Sequence, residues 1–519
     1  MNKEALNKIQ YILTLTAAFI GVSLLCLMSI SAFVSTAYAE DMLGRMMLEK
    51  SDNVILSLLE AGLALAVGFF LAMVFSDKKR IKYLFIFTIA WYILMGAIFI
   101  LFSRSAPAAD ALTTLRMAEM YAANDLSFVG TDSYLTYYPQ QIGLTVFLGM
   151  IIKAVKILPY SFAYYHIIKV IYCLINCLTF SFGYLLVKNM WGSSRINATY
   201  MILSIFNLPF IMYASFVYSE IPSFCLIMGG TFFIYMMIKE KGMAPVNIVF
   251  GIICLTLSVL IRKNSLIFVI AVLIVLILKF MESRRADILL SAVILLILCF
   301  TILPVTLKIF EAKTGRDVSK GVTALSYFAM GMQEGGFGPG WYNGFNFDTF
   351  TESGMDPEKS NEISREAIKE RREYFKNNSE EFVKFYKGKF LTQWTDPTYA
   401  ACQATYDEYG GRINFFKSLY TGKWNATFIH LCNIYQNLIY AGAFVWAVFR
   451  FVPALKNKKE DMAADYILLI AVIGGFIFHM LWEANSRYIF LYAMMLIPYA
   501  AAAIGGFFDK VSAYNPEDK

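Results

Sequence analysis

An all-α polytopic membrane protein is what these 519 residues predict. Hydrophobic residues make up 58% of the chain and charged residues only 16%, against about 25% charged in an average soluble domain. The mean hydropathy of +0.56 comes from apolar runs of about 17 to 26 residues, the length that carries a helix across a hydrocarbon core. A soluble fold of this composition would leave more apolar surface than its polar side chains can cover.

About twelve such runs follow one another. They lie near 12 to 36, 54 to 76, 83 to 102, 162 to 187, 196 to 217, 221 to 238, 245 to 261, 264 to 281, 286 to 309, 427 to 449, 465 to 482 and 487 to 507. Ala37-Tyr38-Ala39 after the first run resembles a signal-peptide cleavage site. The run exceeds an ordinary signal core, so it reads as an uncleaved anchor.

Lysine and arginine set the orientation. With the N-terminus in the cytoplasm, Lys78, Lys79, Arg80 and Lys82 face inward, as do Lys188 with Arg195, Lys239 with Lys241, Lys279 with Arg284 and Arg285, Lys456 with Lys458 and Lys459, and Lys510. Both termini are then cytoplasmic, in a multi-pass protein of the cell membrane. The pattern holds only if the apolar stretch 139 to 158 does not cross, which predicts a re-entrant or interfacial helix. The net charge of +7 belongs to these loops and gives no argument for nucleic acid.

Three kinds of segment are left outside. The first is the loop from Ser103 to Pro159, the second the polar region from Glu311 to Asn425, and the third a set of tight turns at Tyr218-Ser219-Glu220, Arg262-Lys263-Asn264 and Trp482 to Tyr488. The chain therefore divides into an N-terminal transmembrane pair (1 to 82), a transmembrane module with the first external loop (83 to 310), an external α-rich domain (311 to 425) and C-terminal transmembrane helices with a short tail (426 to 519). Within the external domain, 357 to 376 and 379 to 392 read as charged amphipathic helices. The second carries Phe382, Phe385, Tyr386, Phe390 and Trp394 beside Lys384, Lys387 and Lys389, and either lies on the surface shaping an acceptor groove or packs as a solvated helix. The glycine-rich stretch Gly335 to Asn343 lacks the strand, helix and Lys-Ser/Thr of a nucleotide loop. With Trp341 it reads better as an aromatic substrate lid.

Metal and disulfide chemistry find little support. Of the eight cysteines only Cys402 lies in a long polar region, and His166, His430 and His479 are scattered, so neither a disulfide framework nor four clustered zinc ligands is expected. Acids and cations at the outer boundary are more informative. Asp110 stands in the opening turn of a helix that Ser105 or Ala106 would cap and Pro107 would start, with Leu112, Leu115, Met117 and Ala118 as its apolar face. It is either a local helix-start acid or a catalytic carboxylate. Glu220 sits in a turn of almost no length between two spans, as a functional acid or a snorkelling residue. Arg262, Lys263 and Arg487 interrupt apolar runs on the same side and can hold a phosphate whose lipid tail stays in the bilayer, or anchor the interface. Glu60 and Lys169 lie within spans, where helix packing explains them better than a proton relay.

The order of these motifs carries a resemblance. An acid in the first external loop, then Tyr137-Tyr138-Pro139-Gln140-Gln141-Ile142-Gly143, Tyr218-Ser219-Glu220, Arg262-Lys263-Asn264 and Trp482-Glu483-Ala484-Asn485-Ser486-Arg487-Tyr488 resembles the GT-C superfamily of membrane glycosyltransferases. The similarity is to the protein O-mannosyltransferase and aminoarabinose-transferase-like branch (glycosyltransferase family 39-like) in its Gram-positive bacterial form, from about residue 83 to 508. It implies a GT-C-like bundle and an inverting transfer from a polyprenyl-phosphate sugar, mannose-like by family expectation, to a cell-surface glycan, lipid or protein outside the membrane.

By the same resemblance Asp110 is the general base and Glu220 places the acceptor or a divalent cation such as magnesium or manganese. Arg262, Lys263, Arg487 and Tyr488 hold the donor phosphate, and Tyr137, Gln140, Glu483 and Trp341 contact substrate. The chain departs from the pattern at three places: Asp110 is flanked by Ala109 and Ala111 rather than a second acid, Glu220 replaces an aspartate, and no lysine stands in Tyr138-Pro139-Gln140-Gln141. Two other readings share the topology. One is a surface-polysaccharide polymerase or ligase, which more often centres on external arginines and histidine. The other is a transporter or flippase of lipid-linked sugars, which predicts related halves and polar residues at the midplane.

Overall fold

The computed structural model describes residues 3–39, 47–103, 105–130, 133–156, 164–240, 242, 244–318, 320–406, 414–456 and 463–513. It is a helical, polytopic membrane protein. Eleven helices are long and apolar enough to cross a membrane, or up to twelve if the bent pair Ser194–Ile205 and Leu208–Ser215 is one span. The pair bends by 59° at its break, where Asn207 leaves the helix and its side chain accepts from the Phe210 N–H to start the next one. Residues 139–155 form a shorter apolar helix, below spanning length.

Burial orders the bundle. In the segment Ser486–Phe507 94% of the spanning residues are buried, and it forms the centre, whereas in Val54–Phe75 only 6% are, as a predominantly apolar helix can be only where its solvent is hydrocarbon. The first helix, Lys3–Val34, packs chiefly against Asn425–Lys456 and buries Leu24, Leu25, Met28 and Ala32 in the same core as the central helices. Small residues allow the closest approaches. A Cβ on Gly143 would lie 1.9 Å from the Leu260 carbonyl oxygen, so the short helix Ile142–Val155 meets Ala244–Ile261 backbone to backbone.

One end of the bundle carries the polar segment. Helix Pro357–Asn377 starts with Asp356 accepting from the N–H groups of Glu358 and Lys359, and helix Ser379–Trp394 follows. The second does not lie flat as a surface element: its C-terminal half, with Phe390, Leu391, Gln393 and Trp394, is buried against Ile467–Leu481 and Ser486–Met494. Beyond it, the buried Asp396 carboxylate accepts from Thr398 N–H, Thr398 hydroxyl and Ala400 N–H at 2.9, 2.8 and 2.9 Å. Burial nonetheless pushes its pKa up. These bonds hold a chain reversal in which Tyr399 and Ala400 adopt left-handed backbone.

A β-hairpin, which hydropathy does not reveal, joins the first two helices. Strand Ser35–Ala39 pairs antiparallel with Met47–Ser51 in the register Thr36 to Lys50 and Ala37 to Glu49. The Ala37 and Met47 N–H groups donate to Thr395 and Phe337 carbonyls, so the hairpin rests on the polar segment. The cleavage-like Ala37-Tyr38-Ala39 is thus the end of a paired strand.

Candidate functional site

Glu220 opens helix Glu220–Ile238 and its side chain is 1% exposed. A carboxylate so deep needs a partner, and two guanidiniums supply it. Arg262 brings Nη1 to 2.7 Å from Glu220 Oε1, and Arg487 brings Nε to 3.6 Å from the same oxygen. Arg262 also donates to the Ser219 hydroxyl at 3.2 Å. Arg487 lies over the rings of Phe216, Tyr218 and Tyr488, 5.3 to 5.6 Å from their centroids. Three turns distant in sequence are therefore one cluster carrying one anion and two cations. Lys263, adjacent to Arg262, is exposed and lies outside it.

Asp110 approaches from another direction. Its helix, Ala109–Ala122, begins later than the sequence suggests, with Ala108 as an N-cap that has no side-chain bond. Ser105, expected to cap, donates instead to the Ser215 carbonyl at 2.9 Å, and Ala109 adopts a positive φ. The Asp110 side chain is thereby left exposed at the head of the helix, within electrostatic reach of the Tyr134 phenol. Burial and the neighbouring Tyr218 and Asp110 raise the Tyr134 phenol, so it stays a donor. Behind it, Gln141 donates to the Tyr218 hydroxyl at 2.6 Å, tying the short apolar helix to the Glu220 turn.

The third acid is Glu483, buried in the turn between the last two spans and accepting from the Tyr488 hydroxyl at 3.2 Å. Burial pushes its carboxyl up to about 7, with Arg487 opposing and the Asp110 charge adding to the rise. The turn is fixed by a buried cation. Lys389, on helix Ser379–Trp394, donates to the Gly331 carbonyl and, at 2.6 Å, to the Trp482 carbonyl. Burial pulls its pKa down to about 7, against the pull of Glu483. Gly340 makes room for it: with φ at +76°, a Cβ there would lie 2.6 Å from Lys389 Cε. The Ala484 N–H donates to the Gly340 carbonyl at 2.7 Å, so the glycine-rich stretch is stitched directly to the Glu483 turn.

The remaining predicted residues fall differently. Trp341 is buried, its indole N–H donating to Thr392 at 3.0 Å; its neighbour Tyr342 is exposed and within electrostatic reach of Glu483 and Asp110. Tyr137 stacks on Phe347 with centroids 4.6 Å apart, while Tyr134 and Tyr138 sense Asp110. Gln141 rather than Gln140 contacts Tyr218. Tyr327, over Trp482 at 5.7 Å, also senses Glu483 and Asp110. The sequence did not single out these tyrosines, although Tyr134 and Tyr138, four apart in a helical turn, share a face.

The cluster does not fit a metal ion. Among the described residues no three His, Cys, Asp or Glu side chains come together to hold one, and Glu220, the acid assigned to that task, is already matched by two guanidiniums. A flank groove of about 530 Å³ opens beside the start of the Asp110 helix, lined by Ile100, Leu101, Ser105, Ala106, Pro107, Tyr165 and His166. No family model matches the chain, and comparisons with curated proteins and with solved structures give no match either.

Proposed function

We propose that the protein is a GT-C-like membrane glycosyltransferase. It moves a sugar, with inversion, from a polyprenyl-phosphate donor to an acceptor on the extracytoplasmic side. The observation that carries this reading is that Asp110, an exposed carboxylate, and the Arg262 and Arg487 pair all act on the one phenol of Tyr218 at one end of an apolar bundle. A base and a phosphate-binding pair are what a single displacement at an anomeric carbon requires, and a membrane boundary is where a lipid-linked phosphate resides.

In this reaction the acceptor oxygen attacks the anomeric carbon while the bond from that carbon to the phosphate oxygen breaks. Its electron pair leaves on the phosphate, and the acceptor proton passes to Asp110 and then to water. The products are a glycoside and polyprenyl phosphate. Arg262 and Arg487 stabilise the charge growing on the leaving phosphate, as preorganised fork donors do. Glu220 holds the two guanidiniums in position rather than binding metal. The flank groove gives the lipid tail a route from the bilayer to the Asp110 helix.

The test is transfer of radiolabelled sugar from a panel of polyprenyl-phosphate donors in membranes containing the full chain, with polyprenyl phosphate release followed separately. Release coupled to transfer from one donor supports the reading. Label that crosses the membrane unreacted would replace it with a flippase.

A further inference from the structure

We infer that Arg487 meets the donor phosphate with N–H groups that nothing else uses, and that His479, acting through the Tyr488 ring, is a positioning residue that aims it. This rests on the transfer reading of the same site. The two guanidiniums are held in different ways. Arg262 spends Nη1 on Glu220 and on the Ser219 hydroxyl, at 2.7 and 3.2 Å. Arg487 makes no side-chain hydrogen bond among the described residues. Its Nε lies 3.6 Å from Glu220 Oε1 and has no hydrogen-bond partner.

Rings hold Arg487 instead. Phe216, Tyr218 and Tyr488 place their centroids 5.6, 5.5 and 5.3 Å from its central carbon. An aromatic ring attracts a guanidinium through its charge and leaves the in-plane N–H donors unspent. The side chain is 21% exposed, so part of it stays open to a ligand, and a planar fork of donors is what two phosphate oxygens match.

Each ring is in turn fixed by a neighbour. Tyr218 accepts from Gln141 at 2.6 Å, and Phe216 meets Tyr213 edge-on with centroids 6.0 Å apart. Tyr488 gives its one hydroxyl proton to Glu483 at 3.2 Å, in place of the phosphate contact that the resemblance implies. Its ring also lies 6.0 Å from the Arg262 guanidinium, so one side chain touches both cations and an acid. Against that ring lies His479, in the last turn of helix Ile467–Leu481, with centroids 5.8 Å apart and planes at 30°. His479 is 1% exposed, and neither of its nitrogens bonds to another side chain. What it offers Tyr488 is a ring face.

The experiment is isothermal titration of farnesyl phosphate into the full chain in lipid nanodiscs. Farnesol and empty nanodiscs are the controls, and the unfolding midpoint is taken on every variant. Farnesyl phosphate should bind in preference to farnesol. His479→Leu fills the volume without the ring and should weaken binding about fivefold, within the range of one aromatic pair. His479→Phe keeps the ring and should stay within about twofold of the wild-type chain. Tyr488→Phe should likewise retain binding, and Tyr488→Leu should lose it about tenfold.

Binding indifferent to His479→Leu, or lost equally in His479→Phe, would overturn the inference. Equal losses in Tyr488→Phe and Tyr488→Leu would also overturn it, by making the hydroxyl a phosphate donor. A wild-type chain that does not tell farnesyl phosphate from farnesol would overturn it together with the phosphate-binding reading. Sugar transfer from polyprenyl-phosphate donors is measured on the same proteins. Binding that follows the expected pattern without transfer from any donor would contradict the transfer reading and leave the positioning role standing.

Discussion

Arg262 and Arg487 reach the same carboxylate oxygen of Glu220, at 2.7 and 3.6 Å, from turns more than two hundred residues apart in the chain. A buried acid so placed neutralises one cation and leaves the charge of the other for a ligand. It also fixes the directions in which both guanidiniums point.

Arg262→Met should therefore be costly. It leaves a 1% exposed carboxylate with its more distant partner, and breaking a buried pair from one side costs about 3–5 kcal/mol. Lys263→Met, one residue on and exposed, should change stability by less than about 0.5 kcal/mol. Denaturant unfolding of the two variants in the same detergent checks the contrast; equal losses would show that position in the turn, not the ion pair, matters.

The pH dependence of stability should carry two opposed contributions. Glu483 is raised from 4.5 to about 7 by burial. Between those values the folded chain binds more protons than the unfolded one, and stability falls as pH rises. Lys389 is lowered from 10.5 to about 7; between those values the unfolded chain binds more protons, and stability rises with pH. Glu483→Gln should flatten the acid limb alone and Lys389→Met the alkaline limb alone, in unfolding midpoints taken across about pH 5 to 9.

Gly340 tests the latch between the polar segment and the Glu483 turn. Alanine there meets both a positive φ and the Lys389 side chain at 2.6 Å, so Gly340→Ala should destabilise by about 1–3 kcal/mol. Gly336→Ala, with nothing within 4 Å of the added carbon, should cost less than about 1 kcal/mol. Thermal unfolding of the two variants distinguishes a packed latch from a free loop.

Much of this was legible in the sequence because hydrocarbon is an undemanding solvent. A span needs only length and apolarity, so the runs match the helices, including 196 to 217, whose 59° bend no periodicity signals. Glu220, Arg262 and Arg487 stood out because the turns that carry them are only a few residues long between apolar runs. What escaped depends on side-chain direction. Tyr137 and Trp341 were singled out where their neighbours Tyr138 and Tyr342 sense the carboxylates, a one-residue difference set by a helical turn and an extended bridge. Lys389 read as one of three surface lysines, because nothing local announces that helix Ser379–Trp394 drives its C-terminal half into the bundle.

Tyr134→Phe removes one hydroxyl and keeps the ring. If that hydroxyl, which lies within electrostatic reach of Asp110, orients the carboxylate, kcat for sugar transfer should fall about tenfold, at the low end of what a positioned acid or base contributes. A change confined to the donor KM would assign Tyr134 to binding instead.

The most direct test of the central claim is polyprenyl phosphate release by Asp110→Asn against the wild-type chain, at matched expression and with the unfolding midpoint measured on both. Asparagine preserves the shape and removes the base, so release should fall by about 10²-fold or more while the midpoint stays within about 0.5 kcal/mol equivalent. Release at the wild-type rate would contradict the account and return Asp110 to a helix-start residue.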